Sequence, residues 1–169
     1  SFNFETGKTY SIMGPSGSGK STLLNLLSLI DTPTAGSIEI NNNKIKSNNK
    51  VENDLIRAKK IGIIYQDKNL LSDFTALENV YLPNLLVSKE KQKSVDLAKK
   101  LIKNMGMSSR INHFPNELSG GENQRIAIAR ALINDPDIIL ADEPTGSLDS
   151  DNAKLIFKIL FNLKKKNRI

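Results

Sequence analysis

The 169 residues suffice for one domain with its own core but are short for two, and 38% hydrophobic with 25% charged residues is the composition of a folded chain, neither disordered nor membrane-embedded. The net charge of +6 comes from scattered lysines and arginines, clustered only at Lys164, Lys165, Lys166 and Arg168, and with aromatics at 5% it argues against a base-stacking nucleic-acid platform. Cysteine is absent, which excludes a disulfide framework and fits a reducing cytoplasm, and the longest strongly apolar stretch, Leu23 to Ile30, is broken by Asn25 and Ser28 and is far below the ~20 residues a spanning helix needs.

Lys8 to Met13 is a short apolar-leaning run, followed by Gly14-Pro15-Ser16-Gly17-Ser18-Gly19-Lys20-Ser21 and then by Thr22 to Ile30, where leucines recur at helical spacing. This order predicts strand, loop and helix. The loop matches G-x-x-x-x-G-K-[ST], in which glycines let backbone N–H groups curl around the β- and γ-phosphates of a nucleotide. A flexible Gly/Ser loop matching by chance would lack the flanking strand and helix. The helix aims its positive dipole end at the phosphates, Lys20 adds a point charge, and the Ser21 hydroxyl is suited to ligate Mg2+; Thr22 is counted with the phosphate-binding set. Alone, the motif marks a P-loop nucleotide binder, a class that includes GTPases, kinases, helicases and transport motors.

Gly36 to Ile40 followed by Asn41, Asn42 and Asn43 predicts a strand entering a hairpin turn, because Asn tolerates positive φ. The Asn- and Lys-rich stretch up to Asn53 reads as a surface connection. Ile61 to Tyr65 is β-branched and compact, a strand ending at Gln66. From Asp67 to Glu117 the pattern is helical: Thr75-x-x-Glu78 is a capping box, and Val95, Ala98, Leu101, Ile102 and Met105 form one apolar face closed by Gly106. A helical insertion is the simplest account.

Leu118-Ser119-Gly120-Gly121-Glu122 opens a further helix through Ile126, Ala129 and Ile133, and Ser119-x-x-Glu122 is a second capping box. It reads as a well-capped helix or, because consecutive glycines favour close approach of backbone N–H groups to an anion, as a second phosphate-contacting helix start. Asp137 to Ala141 is a buried-strand candidate that runs into Asp142 and Glu143. In a P-loop fold Asp142 would hold Mg2+ through water and Glu143 would accept a proton from the attacking water; the plainer reading is a solvated strand end capped by acids. Leu155, Ile156, Ile159, Leu160 and Leu163 mark a final amphipathic helix.

With Leu118-Ser119-Gly120-Gly121-Glu122 between the phosphate loop and the carboxylate strand, and Gln66 after a strand, the chain resembles the nucleotide-binding domain of ABC ATPases over essentially its whole length. The resemblance implies an α/β P-loop NTPase fold with a mostly parallel core sheet, an antiparallel β edge near Ser37 to Ile45 and a helical subdomain inserted over residues 67–117. It also implies that the domain is incomplete at both ends, lacking an upstream adenine-stacking aromatic and a downstream switch histidine; His113, the only histidine, reads as a loop hydrogen-bonding residue. Carried over residue by residue, Gln66 is the residue that reaches Mg2+ and the attacking water. Ser119, Gly120 and Gly121 bind the γ-phosphate of ATP held by a second domain, and Ser147-Leu148-Asp149 crosses the interface of that head-to-tail dimer. Asn123 stands where relatives carry a longer polar or basic residue.

Within the family, Leu70 to Val80, Asp31-Thr32-Pro33-Thr34 and His113-x-Pro-x-Glu-Leu-Ser are similar to the ATPases of lipoprotein-releasing transporters, a pattern shared in part by macrolide and bacteriocin exporters. Leu70, Leu71 and Phe74 read equally as helical core or as the wall of a groove for a membrane permease subunit. The resemblance implies a homodimeric ATPase on the cytoplasmic face of a bacterial inner membrane, held there by permeases, with no nucleic-acid partner. Two other readings are a soluble ABC ATPase of DNA repair or ribosomes, and a fragment that only binds nucleotide. The short insertion between loop and signature, in place of a long coiled coil, favours transport.

Overall fold

The computed structural model describes residues 2–46, 49–146 and 148–164, with the side chains of residues 163 and 164 excepted. Ser147 and the basic run from Lys165 onward lie outside the described residues. In chain order the elements are α1 (Lys20–Leu27), β1 (Glu39–Ile40), β2 (Asn43–Lys44), α2 (Lys50–Lys60), β3 (Ile61–Ile64), α3 (Ala76–Ser88), α4 (Lys91–Asn104), α5 (Gly120–Leu132), β4 (Ile138–Ala141) and α6 (Ser150–Lys164). Short 3-10 turns at Ser108–Arg110 and Pro115–Glu117 join α4 to α5.

The run Lys8 to Met13 forms no strand. β3 and β4 pair only with each other, and Tyr10, Ile12 and Met13 stay 36%, 41% and 87% exposed. β-propensity becomes a strand only where a neighbour takes up the backbone groups and covers a face, and neither happens here. The hairpin forms as expected: Glu39 faces Lys44, Ile40 faces Asn43, and Asn41 and Asn42 turn the chain at φ 52° and 63°. This is the two-residue turn with both central residues left-handed, for which Asn is suited. The hairpin stands as its own sheet beside the parallel pair rather than as that pair's edge.

Lys50 to Asn53, expected in a surface connection, begin helix α2. Asn49 caps it by accepting the Glu52 N–H at 3.2 Å, while its amide donates to Glu52 Oε2 at 2.7 Å. Arg57, Lys59 and Lys60 fill the last turn, where cations complement the helix dipole. An Asn-x-x-Glu start with basic residues at the end is a helix signature that the low-complexity appearance of the segment hides.

β3 and β4 run parallel in register, Ile61 opposite Ile138 and Ile64 opposite Ala141. Gly62 in β3 lies where α5 comes closest: a Cβ there would be 2.5 Å from the Ala131 carbonyl oxygen and 3.0 Å from Pro136 Cγ. Gly62→Ala therefore forces backbone apart and is expected to destabilise the fold by about 1–3 kcal/mol, read as a lowered urea midpoint with unchanged slope. An unaltered midpoint would contradict this packing.

The core joins the helical region to the sheet. Ile64, Val80, Ala98, Ile102, Met107, Ile126, Ile128 and Ile156 are buried in one cluster spanning β3, α3, α4, α5 and α6. The capping box at Thr75 and Glu78 forms, Ala98 and Ile102 face inward on α4, and the buried Met105 caps that helix before Gly106 turns the chain at φ 71°. His113 joins through its backbone, its carbonyl accepting the Ala76 N–H at 2.8 Å. On α6 Ile156 is buried whereas Leu155 is 42% exposed, so Leu155 does not share the inward face expected of it.

Asn79, 1% exposed, uses its amide to hold the carbonyls of Leu71, Phe74 and Thr75 at 2.9–3.1 Å, and its Oδ1 accepts the Leu71 N–H. That anchor holds the preceding segment so that Leu70 packs against the core while Leu71 and Phe74 are presented outward, 49% and 38% exposed.

Candidate active site

The phosphate loop folds from its own residues. Gly17 and Gly19 lie at φ 79° and 89°, in the left-handed region where a side chain is disfavoured, and Gly19 caps α1 in that conformation. A Cβ on Gly14 would meet Ser18 Oγ at 2.7 Å, so the two ends of the loop are nearly in contact. Lys20 arches back over it, Nζ donating to the carbonyls of Gly14 at 2.9 Å and Pro15 at 2.8 Å. Pro15, Ser16 and Ser18 line the exposed rim of the loop, and Thr22 follows Ser21 in the first turn of α1.

Ser21 Oγ donates to Asp142 Oδ2 at 3.3 Å across 121 residues of sequence, fastening the start of α1 to the end of β4. The Asp142 N–H donates to the Ile64 carbonyl at 2.9 Å and carries the parallel ladder one residue past β4. In this register Tyr65 and Gln66, leaving β3, and Asp142 and Glu143, leaving β4, emerge at the same end of the sheet. That is the carboxyl end, where open α/β sheets bind ligands. Glu143 takes φ 41°, an uncommon conformation for a residue with a side chain, and turns the chain so that its carbonyl accepts the Gly146 N–H at 3.0 Å. A Cβ on Gly146 would lie 3.1 Å from Glu143 Oε2, so this glycine leaves the exposed carboxylate its room. The hydroxyl of Ser21 beside the carboxylate of Asp142 offers hard oxygen donors of the kind Mg2+ takes, so the residues present fit that ion.

Ser119 caps α5 as the spacing implies. Its N–H donates to Glu122 Oε2 at 2.8 Å, its Oγ accepts the Glu122 N–H at 3.2 Å, and Arg110 Nε donates to Glu122 Oε1 at 3.0 Å. The backbone bond from Ser119 foremost, then the Arg110 guanidinium, holds the Glu122 carboxyl down at about 2. A carboxylate whose folded pKa lies below its ordinary value of 4.5 stabilises the fold fully above that value and loses the contribution as pH falls toward about 2. Urea unfolding from pH 6 to pH 2.5 is therefore expected to show an acid-side loss of stability that Glu122→Gln diminishes; identical pH profiles would contradict the pairing.

The two glycines of this segment differ. Gly120 has no atom within 4 Å of where a Cβ would stand, whereas a Cβ on the buried Gly121 would strike Asn152, at 2.5 Å from Oδ1 and 2.6 Å from Cγ. Among the described residues no hydrogen bond links Ser119, Gly120 or Gly121 to the phosphate loop. Asn123 donates to the carbonyls of Pro115 at 2.9 Å and Leu118 at 3.2 Å, so the departure at this position serves the turn before α5. Leu148 packs against the core, and Asp149 caps α6 by accepting the N–H groups of Asp151 at 3.1 Å and Asn152 at 3.0 Å. The backbone and then the side-chain amide of Asn152 hold the Asp149 carboxyl below its ordinary range.

Two supporting residues escape sequence reasoning. Arg130 donates from Nη2 to the Lys68 carbonyl at 2.7 Å and from Nη1 to the Asn69 carbonyl, bracing the segment that follows Gln66 where both residues have positive φ. Asn152 joins α6 to α5. Polar residues on helices carry no sequence signal for such partners, which are far away in the chain.

A phosphate loop opening a helix, with a strand-end carboxylate bonded to its hydroxyl residue, defines a P-loop NTPase. Residues 1–146 match the ABC transporter family. The chain is 48% identical over 162 residues to an uncharacterized ABC transporter ATP-binding protein of Methanocaldococcus jannaschii, MJ1508, covering 96% of this chain and 72% of the relative. It is 45% identical over 163 residues to the lipoprotein-releasing system ATP-binding protein LolD of Rickettsia bellii, with the same coverages of 96% and 72%. LolD of Cytophaga hutchinsonii is 44% identical over 164 residues, covering 97% and 75%. Among solved structures, the dimeric ATP-binding cassette MJ0796 in a post-hydrolysis state with ADP and Pi superposes with a TM-score of 0.87 at 44% identity, over 98% of this chain and 73% of that one. This chain belongs to the ABC transporter ATP-binding proteins and is an ATP-binding ATPase of the cassette fold.

Proposed function

We propose that this ATPase drives lipoprotein release from a bacterial inner membrane, working as a homodimer at the cytoplasmic face beneath permease subunits. The observation that carries its chemistry is the Ser21 to Asp142 bond at 3.3 Å, which joins the phosphate loop to the strand end bearing Glu143. In this reading the backbone N–H groups of Gly14 to Ser21, with Thr22, cradle the phosphates, and Lys20 exchanges its own loop carbonyls for phosphate oxygens. Ser21, Asp142 and Gln66 would hold Mg2+, which when bound would neutralise phosphate charge. Glu143 accepts the proton of the water that attacks the γ-phosphorus as ADP leaves, and Gln66 orients that water.

Ser119, Gly120 and Gly121 serve the nucleotide of a second copy, a reading supported by the dimeric state of the MJ0796 structure. Leu148 and Asp149 run along that interface, with Ser147 assigned to it on the sequence motif alone. Residues 67–117 act as a helical subdomain, and the outward Leu71 and Phe74 wall the groove for a permease helix. No described helix is long and apolar enough to cross a membrane, and in this reading the permease subunits supply the attachment. The cargo rests on the LolD relatives. Depleting the protein in its host and fractionating the membranes tests it: lipoproteins are expected to accumulate in the inner membrane, and an unchanged lipoprotein distribution would overturn the assignment.

A further inference from the structure

The side chain of Asn152, in the first turn of α6, links helix α5 to the residues that cap α6. Its Oδ1 accepts from Arg125 Nη1 at 3.1 Å, and its Nδ2 donates to Asp149 Oδ2 at 2.6 Å. Gly121 and Arg125 stand one helical turn apart on α5 and so share the face that meets Asn152. At Gly121 the approach is so close that any side chain would overlap the Asn152 amide, with Cβ 2.5 Å from Oδ1. The amide is thus bonded on one side to α5, bonded on the other to the cap of α6, and wedged against the backbone of the signature segment.

We propose that Asn152 is a positioning residue that locks Ser119–Gly121 to Asp149, so that the signature and the interface loop meet a second copy as one rigid unit. The inference rests on the reading of both segments as dimer contacts. It also gives Gly121 a reason distinct from that of Gly120. Gly120 has open space where a Cβ would stand, while Gly121 is glycine because Asn152 occupies that space. Neither bond of Asn152 reaches the phosphate loop, so nucleotide capture by a single copy does not depend on it. What depends on it is the geometry offered to the partner, where a small misplacement lowers the rate of reaction.

The test uses the Glu143→Gln protein, whose ATP-dependent dimer is followed by light scattering. If that protein forms no such dimer with Asn152 intact, the reading of the interface fails and takes this inference with it. If it does, adding Asn152→Ala is expected to raise the dimer dissociation constant about tenfold, the loss of a charge-assisted bond, while ATP affinity measured at monomeric dilution stays unchanged. Asn152→Asp keeps the volume and the acceptor for Arg125 but sets a second carboxylate against Asp149, and it is expected to weaken the dimer similarly. Gly121→Ala should weaken the dimer, and the double variant Gly121→Ala with Asn152→Ala should match Asn152→Ala alone, since the clash is gone. A merely structural asparagine would lower the melting temperature of each variant and leave the dimer constant alone. That result, or losses in the double variant that simply add, would overturn the proposal.

Discussion

Lys20→Ala is expected to abolish tight MgATP binding. In the described structure the ammonium bonds to the carbonyls of Gly14 and Pro15, so it already sits over the loop into which the phosphates settle, and binding exchanges two neutral acceptors for anionic ones. Charge-assisted bonds of that kind are roughly twice as strong as neutral ones. Alanine removes both the charge and the brace across the loop, leaving several phosphate charges with backbone N–H groups alone. Titration calorimetry should show affinity falling by at least about a hundredfold, the equivalent of about 3 kcal/mol. Unchanged affinity in a folded variant would remove the assignment of the phosphate loop.

Glu143→Gln is expected to bind ATP as well as the parent and to accumulate as an ATP-dependent dimer. The amide preserves the shape of a side chain already held in an unusual left-handed backbone conformation above Gly146, so the fold has no reason to change. It lacks the basicity to take a proton from water, so ATP stays uncleaved and the dimer it closes does not reopen. Light scattering with and without MgATP reads the result, and Ser119→Arg in the same protein should abolish the dimer by placing bulk and charge at its contact. A Glu143→Gln variant that remains monomeric with saturating MgATP would contradict the role.

The legible parts of the sequence were those whose signals are local. The phosphate loop, both capping boxes, the Asn41-Asn42 turn and the strands at Ile61 and Ile138 announce themselves within a few residues, because glycine, asparagine and cap chemistry act on their immediate neighbours. The strand expected at Lys8 to Met13 depended instead on a neighbouring strand to receive its hydrogen bonds, which no local pattern can supply. Helix α2 is hidden in the sequence because its asparagines and lysines resemble a loop when taken one residue at a time, although the Asn49 and Glu52 pair marks its start. The motifs assign Ser21 and Asp142 to one ion and so to one neighbourhood, whereas nothing in them points to the bonds of Arg130 to the loop after Gln66 or of Asn152 to Arg125 and Asp149. They join elements that only the tertiary packing brings together, and neither residue type is unusual on a helix.

Steady-state phosphate release at saturating MgATP, compared between the parent protein and Glu143→Gln, tests the central claim most directly, that this chain hydrolyses ATP with Glu143 as the base beside Ser21 and Asp142. The account predicts measurable turnover in the parent and a fall of about 100-fold or more in the variant with nucleotide affinity retained. Equal rates in the two proteins would contradict it.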